Sequence, residues 1–291
     1  MYHLPVMLEE AISYLNVRKG KKYIDCTLGD GGHSLKILRK GGLVLGVDVN
    51  DKSIQRATER IEKEGFANSF KAIQGNFRNI DNLITGTDFE KADGILYDLG
   101  YSSTQLDDEI GLSFLKEEPL DMRLDKNLGV TAADLLGALS ESELARLFKE
   151  NSDEKYAKKF AREIVSVRKL KKFQTTKELA DFIVDVAPPG YEHGRIHPAT
   201  RVFQALRIAV NDEFENLRQS LPKAARLLLP GGRMVVIAFH SLEEKLVKEF
   251  GRCVRPMLSQ VFDEPETPSE KEVMDNIRSR SAKLLVFEKI K

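Results

Sequence analysis

Tryptophan is absent from the 291-residue sequence, and cysteine occurs only twice, at Cys26 and Cys253. The two lie far apart and neither belongs to a CxxC pair. No disulfide framework and no cysteine-built zinc site is expected, and a reducing cytoplasm is the expected location. Net charge is also missing: 45 Lys and Arg balance 45 Asp and Glu. A neutral total neither favours nor excludes a nucleic-acid partner; only the local distribution of charge can decide that. Long hydrophobic runs are lacking, and no segment approaches the ~20 apolar residues of a membrane helix. The longest runs, near 43–49 and 233–239, are short and β-branched and read as buried strands. The stretch from Met1 to Glu10 holds no basic region followed by an apolar one, so no secretory signal is expected. There is no internal repeat and no low-complexity tract, and no metal site is expected.

What is present alternates. Residues 22–28 form a short apolar run, followed by Gly29, Gly31 and Gly32 and a helical pattern from Ser34 to Lys40. A second run, Leu43 to Val47, ends at Asp48 and leads into a charged helical stretch, 51–64. A weaker strand near 69–74 follows, and a fourth, Gly94 to Leu99, contains Asp98. Strand and helix in this rhythm predict a parallel sheet with right-handed crossovers. From about 104 to 200 the rhythm stops, and the patterns are helical: 131–149, 154–168 and 176–186, the last ended by Pro188-Pro189-Gly190. An amphipathic segment, 198–220, leads to Pro230-Gly231-Gly232, a strong strand from Arg233 to Phe239, a helix at about 242–252 and a last strand, Lys283 to Lys289. The polar stretch 263–272 reads as a flexible surface loop.

The simplest organisation is a doubly wound, mostly parallel α/β sheet domain, residues 1–105 and 205–291, interrupted by an all-helical insertion, 106–204. In open α/β sheets ligands bind beyond the carboxyl ends of the strands. An insertion that leaves there would overhang the ligand site.

The segment Asp25-Cys26-Thr27-Leu28-Gly29-Asp30-Gly31-Gly32-His33-Ser34 is a strand feeding a glycine turn that opens a helix. Glycines allow a tight turn and a close approach of backbone to ligand, although a tight βα turn alone would also use them. Asp48, ending the next strand, is placed to accept hydrogen bonds from two ribose hydroxyls. The dinucleotide fingerprint G-x-G-x-x-G is not met, which makes a nicotinamide-dependent dehydrogenase a poor fit. An acidic residue four positions before the glycines suits a ligand with a cationic amino-acid end in place of pyrophosphate. Asp25 would meet that ammonium directly or through water, or else merely cap the turn.

The chain resembles the bacterial ribosomal RNA small-subunit methyltransferase H family from near residue 3 to near residue 289. The resemblance is carried by His3-Leu4-Pro5-Val6, the turn from Asp25 to Ser34, the run Asp98 to Asp107 (DLGYSSTQLD) and Pro119-Leu120-Asp121-Met122-Arg123. It continues through the run His197 to Ile208 (HPATRVFQALRI), Pro230 to Arg233, Phe239 to Glu243 (FHSLE) and Arg278 to Leu284 (RSRSAKL). It departs at Ile110, where the family carries arginine, at Ser152, where it carries glycine, and at Ile277, where proline follows the asparagine. The resemblance implies a Rossmann-like class I methyltransferase domain with a helical insertion, S-adenosylmethionine as cofactor, and transfer to N4 of a cytidine in 16S ribosomal RNA. It implies cofactor contacts at Gly31, Gly32, His33, Asp48, Phe77, Asp98 and Gln105, to which the reading of the turn adds Asp25 and Gly29. Phe77, a flat side chain after the third strand, would sit against adenine.

A cytosine amino group is a poor nucleophile, and an acceptor near N4 would help by holding charge that develops on nitrogen. Asp98, at the carboxyl end of the fourth strand, is the first candidate; His240 and Ser241, ending the fifth, are the second. Residues 155–172 hold eight Lys and Arg against only Glu163. Such a run is often just a solvated helix face, but it accompanies Arg195, His197, Arg201 and Arg207. The expected RNA contacts are Arg123, Lys169, Lys171, Lys172, Arg195, His197, Arg201 and Arg207, with Arg278 and Arg280 as a second cluster. The small ribosomal subunit is the expected partner, without membrane or metal, and a homodimer is left open. Two other readings remain: a methyltransferase for a small molecule, which would not need the basic insertion, and a non-catalytic RNA-binding relative.

Overall fold

The computed structural model describes residues 4–100, 110–194 and 196–290. The chain divides into two compact units, residues 1–104 with 214–291, and residues 105–213.

The first unit is built on a seven-stranded sheet ordered β3-β2-β1-β4-β5-β7-β6. The strands are β1 Lys22–Asp25, β2 Leu43–Asp48, β3 Phe70–Gln74, β4 Ala92–Asp98, β5 Leu228–Ala238, β6 Leu258–Gln260 and β7 Lys283–Lys289. β1 to β5 run parallel, and β7 lies antiparallel to both β5 and β6. Side chains alternate across the pleat: Ile95, Tyr97, Met234 and Val236 enter one core cluster, and Leu96, Val235 and Ile237 the other. Both faces are covered, which is why the strands read as continuous apolar runs rather than as polar–apolar alternation.

The helices of this unit are α1 Leu8–Tyr14, α2 Gly32–Arg39, α3 Asp51–Lys63 and the short α4 Ile80–Leu83, all before the second unit begins. That unit is helical: α5 Ala132–Ala138, α6 Glu141–Ser152, α7 Ala157–Val167, α8 Thr176–Val186 and α9 Thr200–Asn211. Its own apolar core includes Leu144, Phe148, Phe160, Ile164, Leu179, Val202 and Leu206. The chain continues through α10 Glu213–Leu227, whose Leu217, Leu221, Ala224 and Ala225 pack on the sheet, then α11 Ser241–Cys253 and α12 Glu270–Asp275.

Several expectations change in detail. The pattern at 131–149 is two helices, because Ser140 and Glu143 form a capping box that starts a new one. The segment 198–220 is also two, broken at Asp212, which takes a left-handed conformation with φ 52°. Asp tolerates that region better than most residues. The second unit reaches Glu213, so α9 belongs to it whole rather than being divided at 204. The stretch 263–272 is not a free loop. Glu266 exchanges backbone hydrogen bonds with Leu284 at 3.0 and 2.9 Å, and the Ser269 hydroxyl caps α12. Helix α1 and the three-residue edge strand β6 were not expected at all; both are too short to show a period.

Candidate functional site

Three carboxylates stand at the carboxyl ends of three strands: Asp25 on β1, Asp48 on β2 and Asp98 on β4. β1 lies between β2 and β4, so the chain's winding reverses there, the place where open α/β sheets bind ligands.

Asp25 is buried. Its Oδ2 accepts from the Ser34 hydroxyl at 2.7 Å and its Oδ1 from the Thr27 amide at 3.2 Å. Burial dominates, and with the nearby charge of Asp48 it outweighs these bonds, pushing the carboxyl up to about 6. Asp48 accepts the amide of Gly29 on Oδ2 and that of Asn50 on Oδ1, both at 2.9 Å. Burial again raises it above the ordinary carboxylate range. Because the carboxylate takes the Gly29 amide, the end of β2 sets the shape of the turn after β1.

Gly29 and Gly31 have φ of 49° and 72°, a region where a side chain is strained. Gly32 is required for another reason: a Cβ there would lie 2.2 Å from Cγ of Pro5. The N-terminal segment thus lies directly over the glycine turn. The Val6 carbonyl accepts from Nε2 of the buried His33 at 3.1 Å, and Nδ1 of the same ring faces Asp98 Oδ2 at 3.6 Å. The Asp98 amide donates to Thr27 Oγ1 at 2.6 Å, which joins the ends of β4 and β1. Oδ1 of Asp98 is buried with no hydrogen-bond partner among the described residues. Burial, then Asp25, then Glu243 raise this carboxyl well above its ordinary value. Phe77 is half-buried after β3, its ring edge-on to Tyr97 with centroids 5.6 Å apart. Gln105 lies outside the described residues.

His240 ends the turn after β5 and caps α11: its Nδ1 accepts the Glu243 amide at 3.3 Å, and Glu243 Oε2 accepts the amides of Phe239 and His240 at 2.8 and 3.3 Å. Ser241, the first residue of the helix, is exposed. Among the described residues no group of three His, Cys, Asp or Glu is arranged to hold a metal, and no helix is long and apolar enough to cross a membrane.

The expected RNA contacts separate into two kinds. Arg207 is buried and grips Glu213 through two bonds of 2.8 and 2.9 Å. Arg123 pairs with Asp121 in the same two-pronged way and also donates to the Leu128 carbonyl at 2.7 Å. The Arg207 guanidinium is thus buried in a pair rather than at the surface expected of it, whereas Arg123 braces residues 121–128 and keeps 26% of its side chain exposed. Lys169 and Lys172 are exposed; Lys171 is exposed and paired with Glu178 at 2.7 Å. Arg201 donates to the Asp153 carbonyl at 3.0 Å, and His197 stacks on Phe114 at 4.6 Å. Arg278 and Arg280 are exposed, and Arg195 lies outside the described residues.

Other residues that shape the site lay within the quoted motifs or near them but had no role assigned to them from the sequence. Thr27, Ser34 and Val6 act through bonds visible only once the strands are side by side. Asp30 is buried and its carboxylate takes Arg56 Nε at 2.8 Å, which ties the glycine turn to α3. Glu243 alone was open to inference, from its place three residues after the cap of a helix.

An antiparallel strand set between the fifth parallel strand and the edge, with acidic residues ending β1, β2 and β4, defines a Rossmann-like methyltransferase domain. Residues 1–290 match the model of the MraW methylase family, and the chain belongs to that family. Proteins named ribosomal RNA small subunit methyltransferase H are similar over nearly their whole length. That of Persephonella marina is 40% identical over 292 residues, covering 99% of both chains. That of Carboxydothermus hydrogenoformans is 42% identical over 307 residues, covering 99% of this chain and 98% of its own. That of Dictyoglomus thermophilum is 43% identical over 292 residues, covering 99% and 96%. The fold is similar to the crystal structure of a Clostridium thermocellum protein assigned as an rRNA-methylase, with TM-score 0.50, 14% identity and full coverage of both chains.

Proposed function

We propose that this chain transfers the methyl group of S-adenosylmethionine to N4 of a cytidine in 16S ribosomal RNA. The observation that carries the reading is the acidic character of the strand ends. Asp25, Asp48 and Asp98 take their hydrogen bonds and close contacts among the described residues from hydroxyls, amides and an imidazole, not from lysine or arginine. Such a lining suits a ligand with a sulfonium and an ammonium and opposes a pyrophosphate. Relatives that share about two-fifths of the sequence, named for methylation of the small-subunit RNA, support the choice of substrate.

When bound, the cofactor supplies an electrophilic methyl group on sulfur. Asp48 receives the ribose hydroxyls, Asp25 the ammonium end, and Gly29, Gly31 and Gly32 let the backbone approach. His33 sits beside the same end, Phe77 lies against the adenine, and Gln105 completes the set. Asp98 accepts from the N4 amino group and takes the proton that the nitrogen must lose after transfer. His240 and Ser241 border the position of the base, which must be unstacked to reach it. The helical unit binds RNA through Lys169, Lys171 and Lys172, with Arg195, His197 and Arg201. Arg278 and Arg280 add a second contact from the sheet unit. A reducing cytoplasm fits Cys26 and Cys253, both free thiols.

The test is transfer of labelled methyl from S-adenosylmethionine onto small subunits that lack the modification, followed by nucleoside analysis. The expected product is N4-methylcytidine. Label in another nucleoside, or transfer only to small molecules, overturns the reading.

A further inference from the structure

Two polar atoms near the ends of neighbouring strands are buried and have no hydrogen-bond partner among the described residues: Oδ1 of Asp98 and Nε2 of His240. Both belong to the sheet unit. β4 and β5 pair in parallel with Asp98 opposite Ile237, and Leu99 continues the ladder by donating to the Ile237 carbonyl at 2.9 Å. Beyond the ladder the two chains still touch, since a Cβ on Gly100 would lie 3.2 Å from the ring of Phe239. Glu243 connects the pair. Its Oε1 stands 3.2 Å from His240 Nε2, off the line of a hydrogen bond, and its charge is felt at Asp98.

The hydrogen of the His240 ring is assigned by the bond its other nitrogen makes. Nδ1 accepts the Glu243 amide, so in the neutral ring Nδ1 is bare and Nε2 carries the hydrogen. This excludes the simplest catalytic use of His240, as a base, because its lone pair already caps a helix. It leaves instead a donor that follows β5, the strand paired with the one that Asp98 ends. Unsatisfied polar groups of this kind are rare in folded proteins and are costly unless a ligand completes them.

The Watson–Crick edge of cytosine has the complementary order, an amino donor at C4 beside an acceptor at N3. Uracil has the reverse, a carbonyl beside an N–H. We infer that His240 Nε2–H donates to N3 of the target cytosine while Asp98 Oδ1 accepts from its amino group, which makes His240 the residue that selects cytosine. The inference rests on the cytidine reading above. The two side chains keep 18% and 20% of their surface exposed, although Oδ1 and Nε2 themselves are buried, so an unstacked base reaches them only by displacing what covers them.

Single-turnover transfer onto reconstituted small subunits tests it, with the methylated cytidine replaced by 3-deazacytidine. That base keeps the amino group and lacks the N3 acceptor. The wild-type protein is expected to lose roughly 10- to 100-fold in rate on the replaced base. His240→Ser, which keeps an oxygen to cap α11, loses a similar factor on cytidine and loses little more on 3-deazacytidine. An unchanged wild-type rate on 3-deazacytidine overturns the inference whatever the variant does, and so does a second full loss in the variant. Failure of the wild-type protein to methylate any cytidine would instead count against the parent reading.

Discussion

The Ser34 hydroxyl donates to Asp25 Oδ2 at 2.7 Å, so the carboxylate that ends β1 is fastened to the first turn of the helix that follows it. The bond spans the glycine turn and helps to fix its shape. It does not fully offset burial, and Asp25 is left holding a proton up to about pH 6.

That proton gives a pH dependence of definite sign. A carboxyl at about 6 in the fold and 3.8 when unfolded binds more protons in the folded state. Stability therefore falls as pH rises through this window. The penalty is absent below 3.8 and complete above about 6, where it reaches ~2–3 kcal/mol at 1.36 kcal/mol per unit. Asp48 and Asp98 are raised too and act in the same direction. Thermal unfolding of the ligand-free protein is expected at a higher temperature at pH 5 than at pH 7. Asp25→Asn should flatten that slope without abolishing it; a wild-type protein whose unfolding temperature climbs from pH 5 to 7 contradicts the assignment. Affinity for S-adenosylmethionine should run the opposite way and weaken below about pH 6, since a cation prefers the ionised site.

Asp48→Asn keeps one oxygen, for the Gly29 or the Asn50 amide but not both, and removes the charge that would hold the ribose hydroxyls. Affinity for S-adenosylmethionine should fall roughly 10- to 100-fold, the usual effect of losing charge-assisted hydrogen bonds. Calorimetric titration measures this, and unchanged affinity would remove the carboxylate from the cofactor site.

Gly32→Ala places a methyl group 2.2 Å from the Pro5 ring. The ring cannot fold away, so the N-terminal segment must lift, and with it the Val6 carbonyl that holds His33. The expected cost is ~1–3 kcal/mol of stability. Hydrogen exchange should report loss of protection confined to the first turns of the chain and α2.

On the helical unit, Leu170 is 93% exposed and stands among Lys169, Lys171 and Lys172. Replacing the three lysines with Glu should weaken RNA binding and reduce its salt dependence, by about 0.7 in log–log slope for each single-strand phosphate no longer neutralised. Cofactor affinity should not move. Lys171 already pairs with Glu178, so its single replacement should have the smallest effect. Equal RNA affinity in the triple variant would shift the interface elsewhere.

Arg207→Ala separates structural from RNA-binding arginines. Its loss leaves Glu213 without the guanidinium that grips it, and breaking such buried pairs costs ~3–5 kcal/mol. A large drop in unfolding temperature is expected, and a well-folded variant with weakened RNA binding alone would reverse the assignment.

Six of the seven sheet strands, the glycine turn and the positions of Asp25, Asp48 and Asp98 at strand ends were legible in the chain itself. A buried strand announces itself by an apolar run, and a carboxylate that finishes such a run has its place set by local order. The same local reading failed where a single residue overrode a periodic pattern, at Ser140 and Asp212, each of which divides one expected helix into two. Only the tertiary structure set β7 antiparallel between β5 and β6, laid Pro5 over Gly32, and turned His240 into a helix cap whose other ring nitrogen makes no hydrogen bond among the described residues. It also separated the arginines locked to Asp121 and Glu213 from the lysines left in solvent. The physical reason is range: apolar periodicity acts between residues a few positions apart, whereas the partner of a charge is chosen by what folding brings beside it.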